Sequence, residues 1–189
     1  MLFRSVVGPE AESLWLGWRF EGAASLQSDT LNVIGEMLSN GTAGLFDLNI
    51  KQQMKMLDAR CWSSLLLDHS MLIMTGNPRE GQTLDEVRQL LLDEVEKLKK
   101  GDFSDDLLPS VINNMKLRYY NSLESNEDRV DACVNAFING TPWEQVAKAQ
   151  ERMEGMTKQQ IVDFANRHFA DNYVAVYKRQ GVDPNQKKI

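Results

Sequence analysis

The chain has 189 residues, 42% hydrophobic and 25% charged, an ordinary globular composition that argues against disorder. Its formal net charge of −6 speaks against a general nucleic-acid binder, which needs clustered cations against phosphate. No apolar run approaches the ~20 residues of a membrane span, and the two cysteines, Cys61 and Cys133, offer no zinc-type spacing.

Residues 1–12 read as a lead-in without an assigned element, and 13–179 as a single α+β domain. In "SLWLGWRFEG" (13–22), Leu14, Leu16, Trp18 and Phe20 alternate with Trp15, Gly17, Arg19 and Glu21, the period of a half-buried strand. Leu31, Ile34, Met37 and Leu38 recur at helical spacing until Asn40-Gly41 stops them. Residues 43–54 are compatible with a second amphipathic helix. The stretches 57–67 and 69–76 predict two strands in a hairpin around Asp68-His69, ended by the turn at Asn77-Pro78.

A block of helices follows. Val87, Leu90, Leu91, Val95 and Leu98 share a face before Gly101, and Leu108, Val111, Ile112, Met115 and Tyr119 mark the next helix. Ser125 and Asp128 form a capping pair ahead of Val130, Cys133, Val134, Phe137 and Ile138, with Gly140 as the stop. In "TPWE" Thr141 is placed as cap and Pro142 at the first helical position; in "TKQQ" Thr157 caps and Gln160 reaches back. "NYVAVYK" (172–178) predicts a closing strand. Helices gathered in one block imply α+β: a two-layer fold with an antiparallel or mixed sheet carrying helices on one face. Residues 180–189, with Gly181 and Pro184, read as a polar linker.

The glycine-rich "SNGTAGLFDLN" (39–49) poses the one phosphate question in the chain. A phosphate loop needs a preceding strand and usually a lysine close behind the glycines; here a helix precedes, and the first lysine is Lys51. The stretch reads as a joint between helices.

That joint carries a resemblance. "NVIGEMLSNGTAGLF" (32–46), "IMTGNPREGQTLDEVRQLLLDEVEKLKKG" (73–101), "LRYYNSLESNEDRV" (117–130), "INGTPWEQV" (138–146) and "MTKQQIVDFANRHFADNYVAVYKR" (156–179), in that order, resemble the pitrilysin/insulinase family of zinc metallopeptidases over most of residues 10–180. The match is to its second, noncatalytic type of domain. The resemblance implies a domain that walls a peptide-substrate chamber and packs on a zinc-bearing catalytic domain elsewhere in the parent chain. It also implies that this segment is an excised part. Zinc is expected in the parent enzyme and none in this segment; relatives occur in the bacterial cytoplasm and in the cell envelope. Where the family commonly shows Ser-Arg-Leu-Phe, this chain has Ala43-Gly44-Leu45-Phe46, and "NIKQQMKMLDA" after it also departs.

The residues themselves offer no catalytic set. The family's zinc motif is His-x-x-Glu-His, whereas His69 and His168 stand far apart without partner histidines. His69 is expected at a turn or strand start, and His168 on a last helical turn, where positive charge suits the dipole. No Gly-x-Ser-x-Gly elbow exists, and acidic runs such as "EDRVD" suit caps and solvated faces. Trp18 shares the apolar face of its strand. Trp15 faces the other way beside Arg19, which makes it the candidate contact for substrate or a partner domain. Two other readings are a catalytically inactive scaffold or binding subunit of the same architecture, and a free-standing α+β helper domain.

Overall fold

The computed structural model describes residues 2–182, so most of the expected linker, 180–189, lies outside the described residues. Five strands form one open sheet: β1 (Leu2–Gly8), β2 (Ser13–Glu21), β3 (Asp58–Leu65), β4 (His69–Asn77) and β5 (Val174–Gln180), in the spatial order β1-β5-β2-β4-β3. β1 runs parallel to β5, and every other pair is antiparallel, so the sheet is mixed. The helices are α1 (Gln27–Leu38), α2 (Leu84–Lys100), α3 (Leu107–Ser122), α4 (Asn126–Ile138), α5 (Trp143–Ala147), α6 (Ala149–Glu154) and α7 (Lys158–His168). This is the α+β architecture that the order of elements predicts.

Alternation decides which face the helices cover. Leu14, Leu16, Trp18 and Phe20 of β2 pair with Gly76, Met74, Leu72 and Ser70 of β4, and all eight are buried. Ala175 and Tyr177 of β5 and Ala59 and Cys61 of β3 extend the same surface. Against it pack Leu31, Ile34, Met37 and Leu38 of α1, Val87, Leu91, Val95 and Leu98 of α2, and Ile161 and Ala165 of α7. Trp18 is 2% exposed and sends its indole N–H to the Ala170 carbonyl at 3.1 Å. Arg152 of α6 ties down α1 through Asp29 at 2.6 Å. Burial pushes the Cys61 thiol far up, so it behaves as a small hydrophobe, whereas Cys133 is exposed.

Helix ends follow the expected chemistry in most places. Thr157 and Gln160 form the reciprocal box on α7, and Ser125 Oγ accepts from Asp128 N on α4; the structure adds, beyond the expected caps, a box of Thr83 and Glu86 on α2. Gly101 ends α2 in the left-handed region at φ 69°. Thr141 does not cap: α5 begins at Trp143 with Pro142 in the cap position. The Thr141 N–H instead closes α4 onto the Ala136 carbonyl at 2.9 Å, which commits that backbone to the preceding helix.

Three elements differ from expectation. β1 forms within the stretch read as a lead-in; six of its seven residues are exposed, so no burial alternation announces it, and pairing with β5 defines it. The helix expected over 43–54 is one π-helical turn, Asp47–Lys51. In α4, Ala136 alone is buried, and Val130, Val134, Phe137 and Ile138 of the predicted apolar face stand exposed. Periodicity states that a helix is two-sided; it does not state that the same chain supplies the cover.

Candidate functional site: the uncovered face of the sheet

The outward residues of β2, β4, β3 and β5 form a surface that no described helix covers. Trp15 is 44% exposed and lies in register between Thr75 of β4 and Val176 of β5. Trp62 of β3 lies opposite Ile73, one diagonal step away across β4. The two indoles meet edge to face, with ring centroids 5.8 Å apart and planes at 85°. Edge-to-face aromatic pairs are favourable and hold both rings in one geometry. They therefore stand as a rigid apolar platform in contact with water.

Charged groups frame this platform. Arg60 pairs with Asp58 at 2.7 Å, and Lys178 with Glu10 at 2.7 Å. The hydrogen bond and charge of Lys178 hold the Glu10 carboxyl below the ordinary carboxylate value, so this pair persists into mild acid. Together with the two tryptophans and Ser13, these groups border an open cavity of about 780 Å³. An aromatic floor with polar rims suits an extended polypeptide, whose side chains alternate apolar and polar contacts. Reading β2 alone marks Trp15. Trp62 and Arg60 alternate together in "DARCWSSL", but only the strand order β2-β4-β3 brings them to Trp15.

The glycine-rich joint is a closed unit. Asp47 is buried, and its Oδ2 accepts from the N–H groups of Asn40, Gly41 and Gly44 at 3.0, 2.9 and 3.1 Å. Asn40 Oδ1 accepts from Thr42 and Ala43 at 3.0 and 2.9 Å. Oδ1 of Asp47 receives no well-angled hydrogen bond, but the Lys51 ammonium lies 2.6 Å away, so that contact is ionic rather than directional. The backbone donors that could have cradled a phosphate are filled by the chain's own side chains. Gly44 is required by close approach. A Cβ there would meet the Leu38 carbonyl oxygen at 2.7 Å and Asp47 Oδ2 at 2.9 Å. This position cannot carry the arginine of Ser-Arg-Leu-Phe without dismantling the nest.

The two histidines lie on opposite faces of one end of the sheet. His69 opens β4, in register with Glu21 on the uncovered side. His168 ends α7 against Phe164 and Phe20, with centroids at 4.4 and 5.6 Å. Burial is the main cause that lowers its pKa from the ordinary 6.5; Arg167 adds to the effect and Glu21 opposes it. The imidazole is therefore neutral at pH 7 and an aromatic packing element, not the dipole-matching cation that its helical position suggested. Between the lowered folded value and 6.5 the unfolded chain binds more protons, so stability is lost as pH falls through that window. In His168→Phe, denaturation curves between pH 7 and pH 5 are expected to show a shallower loss than wild type; an unchanged slope would refute this.

Among the described residues, no group of three or more His, Cys, Asp and Glu side chains gathers as a metal site. The donor set does not fit catalytic zinc, which takes about three protein ligands and an open position.

Comparison with known families gives a match of residues 3–115 to the peptidase M16 inactive domain. The chain belongs to that family. It is the noncatalytic domain type of the pitrilysin peptidases that the motif order resembles. No curated protein matches the chain. Among solved structures, the M16 domain is similar to a protease from Helicobacter pylori, with 17% identity and a TM-score of 0.88, over 94% of this chain and 43% of that one. An inactive peptidase domain from Bordetella parapertussis has 14% identity and a TM-score of 0.81, over 96% of this chain and 97% of that one. A chain of Complex III2 from Candida albicans has 12% identity and a TM-score of 0.74, over 93% of this chain and 45% of that one. At these identities the likeness is one of fold. The M16 domain thus spans less than half the length of the Helicobacter protein. No described helix is long and apolar enough to cross a membrane.

Proposed function

We propose that this M16 domain serves a zinc metallopeptidase by forming part of its peptide chamber and packing on the zinc-bearing domain. The observation that carries this reading is the uncovered sheet face, with its rigid Trp15–Trp62 platform between two ion pairs. That surface is wet and mixed, which suits transient contact with peptides of many sequences. The exposed side of α4, with Val130, Val134, Phe137 and Ile138, is apolar and suits a permanent contact with the neighbouring domain. The chemistry supplied here is confinement. Holding a peptide near a metal centre lowers the entropic part of the barrier without contributing a ligand or base. Zinc and hydrolysis belong to the partner.

The test uses the parent enzyme with both domains. Trp15→Ala is expected to lower kcat/KM for peptide substrates by about tenfold or more, the scale of a truncated aromatic anchor. The melting temperature should stay within a few degrees of wild type, because Trp15 lies outside the core. Unchanged kcat/KM would overturn the assignment of this face. A second reading, an inactive scaffold or binding subunit, is favoured by the fold likeness to the Complex III2 chain. A partner domain without His-x-x-Glu-His, and a parent that binds no zinc, would decide for it.

A further inference from the structure

β1 is an edge strand whose outer side is bare. Leu2 N donates to the Tyr173 carbonyl at 3.0 Å at one end, and Gly181 N donates to the Gly8 carbonyl at 2.9 Å at the other. With the parallel register Leu2↔Val174 through Gly8↔Gln180, these bonds show that residues 2, 4, 6 and 8 turn their backbone groups toward β5. Phe3, Ser5 and Val7 then turn theirs outward, and no further strand pairs with them among the described residues. The Phe3 carbonyl accepts from the Arg4 guanidinium at 3.2 Å, which leaves its second lone pair available. Leu2, Phe3, Val6 and Val7 are each about half exposed, and β1 has no proline, no bulge and Arg4 as its single charge. Natural sheets usually guard such an edge with charge, a bulge or a cover.

We infer that β1 pairs with β1 of a second copy of this chain, antiparallel about Ser5, joining two sheets into one of ten strands. The sequence is self-complementary in this register. Phe3 meets the second copy's Val7, Ser5 meets Ser5, and both outward backbone groups of each residue find a partner. On the other face Arg4 meets Val6, not another arginine, and Leu2 meets Gly8. The arrangement has two-fold symmetry and closes at a dimer. A pairing of β1 with the opposite edge β3 would instead propagate without end. The contact is small against the area of a stable interface, and each copy carries a net charge of −6. The dimer is therefore weak and reversible.

Sedimentation velocity on the purified 189-residue chain from about 1 to 500 µM, the range of weak reversible association, tests this. A monomer–dimer equilibrium is expected for wild type. Ser5→Pro removes an outward N–H while sparing the bonds to β5, so it should be monomeric throughout with an unchanged circular dichroism spectrum. Val6→Arg places a second cation opposite Arg4 and should weaken the dimer about tenfold at low salt, with recovery at high salt. A monomeric wild type would overturn the proposal. So would species growing beyond the dimer, or either variant dimerising like wild type.

Discussion

Asp47→Ala is expected to destabilise the chain by about 3–5 kcal/mol, the cost of removing one partner from a buried charge network. Its carboxylate accepts from the N–H groups of Asn40, Gly41 and Gly44 and faces the Lys51 ammonium. Truncation leaves the buried Gly44 N–H, the partly buried Asn40 and Gly41 N–H bonds and the Lys51 ammonium without their acceptor. It also frees the charged link from the end of α1 to the π-helical turn. Chemical denaturation checks this: the midpoint should fall with the slope m unchanged. Asp47→Asn keeps one acceptor oxygen and should lose about half as much. A loss under about 1 kcal/mol, the value of a surface pair, would mean that the nest is solvated and the loop open.

Trp18→Ala should cost about 3–5 kcal/mol, as large aromatic truncations in packed cores do. The indole is 2% exposed and packs on Phe169 and Tyr173 at 5.5 and 4.9 Å. Its N–H bond to Ala170 anchors the loop leading into β5, so the closing strand should loosen as well. Trp15→Ala, three residues earlier on the opposite face, should cost under about 1 kcal/mol in the isolated chain. Thermal or urea unfolding of the two variants side by side separates core from contact surface. Equal losses would show that the Trp15 face is buried in the folded chain.

The contrast between these two tryptophans shows how far a linear reading reaches. Alternation in "SLWLGWRFEG" separates Trp18 from Trp15, because in an extended chain neighbouring side chains must point opposite ways. The same local rules place α7 through its capping box, and α2 through its apolar face and its end at Gly101. Such features depend only on residues within a few positions of one another. The motif order likewise points to a peptidase family and to its noncatalytic domain type.

What lay beyond the sequence depends on partners distant in the chain. β1 is a strand because β5, some 170 residues later in register, offers it a ladder. The phosphate-like joint holds Asp47 because the chain folds back on itself by a π-helical turn that no periodicity announces. Helical spacing in α4 is genuine, yet its apolar side is left uncovered by every other described element. Composition, periodicity and capping thus determined the class of fold, the helices and the absence of a local catalytic motif, because each is settled by neighbours along the chain. Strand order, the union of Trp15 with Trp62 and the faces left open were decided by tertiary structure, because pairing and burial join residues that no local pattern connects.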